Sequence, residues 1–193
     1  MRLVLLGPPG AGKGTQGEAL AERYGVRHIS SGELFRQQIA AGTPLGEQVR
    51  AYLAEGVLVP DDLVFAVIGD AVRRSVESGG GYVLDGFPRN LVQAERAHDL
   101  ADRAGTTAEA VVLLVLPDDV ARQRLVGRAG TGRGDDQDPA VVDRRLQVFH
   151  QETAPLVEFY RRRGILVAVD ATPSPLQVTA AAVDAIERLV PAR

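Results

Sequence analysis

Short apolar runs alternate along the chain with longer stretches whose apolar residues recur at helical spacing. The apolar runs predict five β-strands, at Leu3–Leu6, Arg27–Ile29, Tyr82–Leu84, Ala110–Leu116 and Ile165–Val169. Strands that alternate with helices in this way are typical of a mostly parallel sheet covered by helices on both faces. The pattern therefore predicts an α/β fold with a doubly wound, five-stranded parallel sheet.

Several helix ends and faces also follow from the pattern. Ser30 predicts an N-cap, with Glu33 closing a capping box. One long helix is predicted from Pro139 to the arginines before Gly164. The last helix is expected to be structural, with apolar residues at Leu176, Val183, Ile186 and Leu189.

The first strand runs directly into a glycine-rich loop and a helix, over Gly7–Thr15. Glycines let the backbone turn tightly and point several N–H groups at one spot, and the helix N-terminus adds partial positive charge there. This combination predicts a phosphate-binding loop, in which Lys13 reaches the outer phosphates and the Thr15 hydroxyl faces a magnesium ion. Gly14 separates the lysine from the hydroxyl residue, which departs from the general form of the motif.

Composition strengthens the prediction for Lys13. It is the only lysine in the sequence, and every other basic side chain is arginine. A compact ammonium on a flexible stem fits a phosphate cradle where a planar guanidinium is too broad.

Length and charge restrict the remaining function classes. The 193 residues suit one α/β domain, and a net charge of −3 gives no general basic surface for nucleic acid. Without cysteine the chain has neither disulfides nor a thiolate zinc site. No stretch is long enough to span a membrane, and because the first strand begins near the start of the sequence, we expect no signal peptide. We expect a cytoplasmic monomer that binds no nucleic acid, membrane or zinc.

Two further segments carry candidate chemistry. Asp85 ends a buried strand, where open α/β sheets bind ligands, and beside a phosphate loop it would hold Mg²⁺ directly or through water. The glycine-rich segment 127–138 carries Arg128 and Arg133, and its composition predicts a mobile anion clamp.

Three motifs in this order resemble the adenylate kinase family: GPPGAGKGT at 7–15, HISSGELFR at 28–36 and LDGFPR at 84–89. The resemblance covers the chain from Arg2 to the last helix. It implies the phosphoryl transfer ATP + AMP = 2 ADP with Mg²⁺, and a role in adenine nucleotide homeostasis. It also implies a core (1–29, 60–126 and 139–193), a monophosphate-binding insert (30–59) and a short, zinc-free lid (127–138).

The resemblance further implies roles for individual residues. Those expected to bind ATP are Gly10, Ala11, Gly12, Lys13, Gly14, Thr15, Arg128 and the backbone near Pro173. Those expected to bind AMP are Ser31, Arg36, Val57, Leu58, Val59, Gly86, Phe87, Pro88, Arg89, Gln93, Arg133 and Arg145. The catalytic set comprises Lys13, Arg89, Arg124, Arg128, Arg133 and Arg145, and the magnesium set comprises Thr15 and Asp85.

Two departures and two alternative functions stay open at this point. Ser31 stands where the family usually has threonine, and an extra residue before Arg145 leaves Arg144 as the alternative cation facing the phosphates. A pyrimidine monophosphate kinase would share the loop, although such enzymes tend to have asparagine in place of Gln93. A nucleotide-binding module without phosphotransfer is the other alternative, and it would be expected to lose part of the charged set.

Overall fold

The computed structural model describes residues 1–127 and 138–191, and within these ranges five strands form one sheet. The strands are β1 (Arg2–Leu6), β2 (Arg27–Ser30), β3 (Tyr82–Asp85), β4 (Ala110–Val115) and β5 (Leu166–Asp170). Their order is β2-β3-β1-β4-β5, and all neighbours are parallel. The predicted α/β fold with a five-stranded parallel sheet is confirmed.

Helices cover both faces of this sheet. The α-helices of the described ranges are α1 (Lys13–Tyr24), α2 (Ser31–Ala40), α3 (Pro44–Glu55), α4 (Asp61–Glu77), α5 (Leu91–Arg103), α6 (Asp118–Gly127), α7 (Pro139–Val148), α8 (Leu156–Arg162) and α9 (Pro175–Leu189). No helix in the described part of the chain is both long and apolar enough to span a membrane.

The sheet separates two hydrophobic cores. Along β1, Leu3 and Leu5 point into the core built with α1, α6, α7 and α9, whereas Val4 and Leu6 point into the core built with α2, α3, α4, α5 and α8. This alternation is the ordinary consequence of the strand period of two. Because both faces are buried, the strand reads as a continuous apolar run.

The capping box predicted at Ser30 is wrong. Ser30 occupies the N-cap position of α2, but its side chain makes no capping hydrogen bond. Its hydroxyl instead donates to Oδ2 of Asp85 at 3.3 Å. Asp85 on the neighbouring strand therefore accepts a hydrogen bond from the Ser30 hydroxyl, which the sequence pattern predicted would cap the helix.

The single long helix predicted after Pro139 is also wrong. α7 ends at Val148, a π-helical turn spans Phe149–Thr153, and α8 begins only at Leu156. Pro155 lacks a backbone N–H and therefore cannot donate the hydrogen bond that a continuous helix requires.

Leu176 departs from its predicted structural role, with 84% of its surface exposed. The buried stripe of α9 consists of Val178, Ala182 and Ile186, which are spaced by four residues. Leu176 lies two residues before this stripe and consequently faces away from the core.

Two helical glycines allow a matched test of packing between α2 and α3. An added Cβ at Gly46 in α3 would lie 2.3 Å from the backbone oxygen of Gln38, whereas one at Gly69 in α4 would meet nothing within 4 Å. We expect Gly69→Ala to raise the free energy of unfolding by about 0.5–1 kcal/mol through helix propensity. Gly46→Ala should lower it by about 1–3 kcal/mol because backbone must shift.

Urea denaturation of both variants measures these changes. Equal stabilisation by the two substitutions would show that α2 and α3 do not approach as closely as described.

Candidate active site

The carboxyl ends of three adjacent strands bring the predicted motifs to one edge of the sheet. Asp85 at the end of β3 pairs in register with Leu5 of β1 on one side and with Ser30 of β2 on the other. The phosphate loop follows β1 and the Ser30-Ser31 pair ends β2, so both lie beside Asp85. A large cleft opens at this edge.

The phosphate loop packs closely against its surroundings. Gly10 has φ of 84°, and a Cβ there would lie 2.8 Å from the backbone oxygen of Ala121 in α6. Only glycine combines this conformation with so close an approach. Gly12 caps α1 with φ of 85° and no side-chain capping bond. The N-terminus of α1 consequently presents backbone N–H groups towards the cleft.

Most of the predicted ATP-binding residues line this cleft, namely Gly10, Gly12, Lys13, Gly14 and Thr15. Ala11 does not: its side chain is buried in the core and its backbone N–H donates to Pro8 at 3.2 Å. The Lys13 ammonium donates to the backbone oxygens of Gly7 at 2.7 Å and Pro8 at 2.9 Å. These bonds hold the charge of Lys13 over the loop.

Asp85 provides a buried carboxylate at the floor of the cleft, with 7% of its surface exposed. Ser30 donates to this carboxylate, and the Nε2 atom of His28 lies 3.9 Å from it.

Thr15 lines the same cleft, so carboxylate and hydroxyl oxygens, which Mg²⁺ prefers, are available together. The predicted magnesium pair therefore fits a divalent cation by the chemistry of its oxygens. The described residues contain no cluster of three or more His, Cys, Asp or Glu side chains suited to a metal.

His28 is a cleft residue that the sequence did not single out as functional. Its Nε2 atom is buried without a hydrogen-bond partner among the described residues. The ring fits because Gly17 lies against it: a Cβ on Gly17 would come within 2.3 Å of Nε2.

A narrower apolar slot adjoins the cleft. Its lining residues are Ser31, Phe35, Leu53, Leu58, Val59, Val64, Gly86, Arg89 and Gln93. Leu58, Gly86 and Arg89 line both the slot and the cleft, so the two form a continuous site. The structure thus brings together most of the predicted AMP-binding residues of the described chain, whereas Val57 lines neither.

The Gly86–Arg89 turn forms the boundary between slot and cleft. The Ser31 hydroxyl donates to the backbone oxygen of Gly86 at 2.8 Å, and a Cβ on Gly86 would lie 2.5 Å from that hydroxyl. The Phe87–Pro88 peptide bond is cis. Pro88 lines the cleft, while Phe87 is buried in the core.

Three predicted cations converge on the cleft: Arg36, Arg89 and Arg145. The pKa of the Arg89 guanidinium is lowered by desolvation, raised by Asp85, and lowered again by repulsion from Arg145 and Arg36. Neighbouring Arg144 is exposed and does not belong to the cleft lining. Negative charge entering the cleft would relieve this repulsion.

Arg124, predicted to help bind ATP, contacts protein backbone in this structure. Its guanidinium donates to the backbone oxygens of Ala171 at 2.8 Å and Thr172 at 3.0 Å. These bonds hold the backbone just before Pro173, and Pro173 itself is exposed. Arg128 and Arg133 lie outside the described residues.

Gln93 is almost completely buried and lines the apolar slot. Its Oε1 atom accepts from the backbone N–H of Arg89 at 2.8 Å, and its Nε2 atom donates to Oδ1 of Asp61 at 2.6 Å. Asp61 was not identified from the sequence as part of this site, because its contact partner is 32 residues away.

Comparison with known proteins agrees with this geometry. Residues 5–165 match the family model described as "Adenylate kinase". The chain is 45% identical to "Adenylate kinase" of Synechococcus sp. (strain WH7803) over 178 residues, covering 92% of this chain and 94% of the relative. It is 44% identical to "Adenylate kinase" of Mycobacterium tuberculosis over 186 residues, covering 96% and 99%.

Substitution of Thr153 tests the hydrogen bond that holds the backbone of the Gly86–Arg89 turn. Its hydroxyl, in the π-helical turn, donates to the backbone oxygen of Arg89 at 2.7 Å and is largely buried. Thr153→Val keeps the shape but removes the donor. We expect it to lower the free energy of unfolding by about 1–3 kcal/mol, because a carbonyl loses its partner.

Thr153→Ser is the control, since it retains the hydroxyl. Urea denaturation should place the serine variant nearer the parent than the valine variant; the reverse order would contradict the assigned hydrogen bond.

Proposed function

We propose a specific arrangement of substrates and residues for this chain, which belongs to the adenylate kinase family. The protein is a phosphotransferase that converts ATP and AMP reversibly to two ADP. In the proposal, the loop from Gly10 to Thr15 holds the ATP phosphates, and the slot bounded by Ser31 and Gln93 holds AMP. The observation that carries it is the convergence of Lys13 with the cleft arginines between these two regions.

The reaction needs no nucleophile on the protein. A phosphate oxygen of AMP forms a bond to the γ-phosphorus of ATP, and the bond to the β–γ bridging oxygen breaks, which leaves two ADP molecules. Catalysis then consists of aligning two anions and neutralising their charge. Lys13, Arg36, Arg89 and Arg145 all line the space where these charges would meet.

Each cation has a distinct part in the proposal. Lys13 and the N-terminus of α1 bind the outer ATP phosphates, Arg36 and Arg89 bind the AMP phosphate, and Arg145 binds the transferred phosphoryl group. The proposal assigns Arg128 to ATP and Arg133 to the transferred phosphoryl group. Arg124 supports the ATP side by fixing the backbone that leads to Pro173.

The proposal includes Mg²⁺, held by Asp85 and the Thr15 hydroxyl directly or through water. When bound, the ion would neutralise phosphate charge. Ser30 donates a hydrogen bond to the Asp85 carboxylate, and the His28 ring lies 3.9 Å from it. We also expect the protein to be a monomer located in the cytoplasm.

The two alternative functions are not favoured. The relatives that cover most of this chain carry the name adenylate kinase. A non-catalytic module would be expected to lose part of its charged set, whereas Lys13, Arg36, Asp85, Arg89 and Arg145 occupy one cleft.

An assay of ADP formation from Mg-ATP with AMP, GMP, CMP and UMP tests the proposal, and a preference for CMP or UMP would overturn it.

Lys13 provides a direct test of the phosphate loop. Lys13→Met removes the charge, and Lys13→Arg keeps charge but replaces the narrow ammonium with a broad guanidinium. We expect turnover to fall by about 10²–10³-fold in both variants, as for other single electrostatic contacts in dry sites. Thermal melting serves as the folding control, and normal turnover in a folded Lys13→Met protein would refute the loop assignment.

Arg144 and Arg145 form a matched pair on one helix. Arg145 lines the cleft and Arg144 is exposed outside it. Arg145→Ala should therefore reduce kcat by about 10²-fold or more, whereas Arg144→Ala should change it less than about threefold. Steady-state assays with both nucleotides measure the difference, and a larger loss from Arg144→Ala would reverse the assignment.

A further inference from the structure

The orientation of the Gln93 side-chain amide is fixed from both sides by protein groups. Gln93 lies 1% exposed at the wall of the apolar slot. Its Oε1 faces the Arg89 N–H at 2.8 Å, and its Nε2 faces the Asp61 carboxylate at 2.6 Å. We propose that Asp61 is a positioning residue that holds this amide in one orientation and thereby selects a 6-amino purine over a 6-oxo purine. The inference rests on the proposed function, since it concerns the base of the acceptor monophosphate.

The two partners of the amide cannot exchange roles. A backbone N–H only donates, and an ionised carboxylate only accepts. If the amide turned by 180°, its N–H₂ group would face the Arg89 N–H, and its oxygen would face the Asp61 carboxylate. Both hydrogen bonds would be lost, and two repulsive contacts would replace them inside a buried site. One orientation is therefore strongly favoured before any ligand binds.

Asp61 is itself held in place. It lies in the first turn of α4, and the Asn90 side-chain amide donates to the same Oδ1 atom at 3.3 Å. The Asn90 side-chain oxygen in turn accepts from the backbone N–H of Gln93 at 2.7 Å and caps α5. The carboxylate, the cap and the amide form one connected set of hydrogen bonds across α4 and α5.

Among the described residues, the fixed amide keeps one donor and one acceptor that are not used by the protein. Nε2 has a second N–H, and Oε1 has a second lone pair. Around them the slot is largely apolar, with Phe35, Leu53 and Val64 in its walls. A nucleobase in this slot would therefore meet the amide as its main polar partner.

The order of donor and acceptor on the amide decides which base fits. Adenine presents an amino donor at position 6 beside an acceptor at N1, whereas hypoxanthine presents an acceptor at position 6 beside an N1–H donor. An amide held in one orientation complements one of these patterns and opposes the other. Arg36 and Arg89 would hold the phosphate, and this anchoring opposes any turning over of the base that would restore complementarity.

Asp61→Asn provides the test, because it keeps the size of the side chain but supplies a donor as well as an acceptor. The measured quantity is the ratio of kcat/KM for AMP to kcat/KM for IMP, with saturating Mg-ATP. IMP is the comparison because it lacks the 2-amino group of GMP, which could be excluded by size alone. We expect the ratio to fall by about tenfold or more in Asp61→Asn and Asp61→Ala, through loss of AMP activity and gain of IMP activity. The KM for ATP should not change.

Asp62→Asn is the matched control. Asp62 carries the same charge in the same helix turn, but its side chain is 92% exposed and pairs with Arg96 at 3.1 Å. We expect this variant to keep the parent ratio within about twofold, since surface pairs contribute little. A general effect of charge at the start of α4 would lower the ratio in both variants, and that result would overturn the proposal.

A measurement on the parent protein makes the test independent of variant folding. In the proposed orientation, Oε1 and not Nε2 faces the Arg89 amide. A strong nuclear Overhauser effect between the Arg89 amide proton and the Gln93 side-chain amide protons in the AMP complex would overturn the proposal. An unchanged AMP-to-IMP ratio in folded Asp61→Ala, which removes the acceptor altogether, would do the same. Failure of the parent to form ADP from AMP at all would instead contradict the proposed function.

Discussion

The site depends on the parallel pairing of β3 with β1 and β2. This pairing places Asp85 opposite Leu5 on one side and Ser30 on the other. A slip of one residue would turn every side chain of β3 to the opposite face, because the strand period is two. The carboxylate would then leave the cleft, and the Gly86–Arg89 turn would lose its contact with Ser31. The sheet register therefore determines the relative positions of the phosphate loop, the carboxylate and the apolar slot.

Convergent positive charge in the cleft is the second constraint on the structure. Arg36, Arg89 and Arg145 line one cleft, and desolvation lowers the pKa of Arg89. Asp85 offsets part of this repulsion within the protein. Nucleotide phosphates would offset more of it, and this difference in interaction free energy is what allows substrates to favour the assembled site. The charges that repel one another in the cleft would therefore also supply its affinity for two anions.

Sequence reasoning predicted the parts of the site that local chemistry encodes. The phosphate loop depends on adjacent glycines and one lysine, and the strands depend on short apolar runs, so both can be recognised within a few residues. The predictions for Ser30 and Leu176 were wrong because tertiary contacts determine where these side chains lie. A carboxylate 55 residues away accepts a hydrogen bond from the Ser30 hydroxyl. Leu176 lies on the face of its helix that points away from the core. Asp61, Thr153 and His28 could not be identified because their roles come from partners distant in sequence. Their residue types alone are common at helix starts, turns and surfaces.

The segment from Gly86 to Gln93 connects the two side chains to which the proposal assigns the base and the phosphate of AMP. The backbone N–H of Arg89 fixes the Gln93 amide, while the Arg89 Nε donates to the Gly86 oxygen at 2.7 Å. Thr153 holds the Arg89 backbone oxygen from the π-helical turn, so this turn is tied to another part of the fold. The guanidinium that would bind phosphate and the amide that would read the base therefore share one residue's backbone. A base that displaced the Gln93 amide would also shift the Arg89 guanidinium. A wrong acceptor would therefore lose binding free energy at its base and at its phosphate.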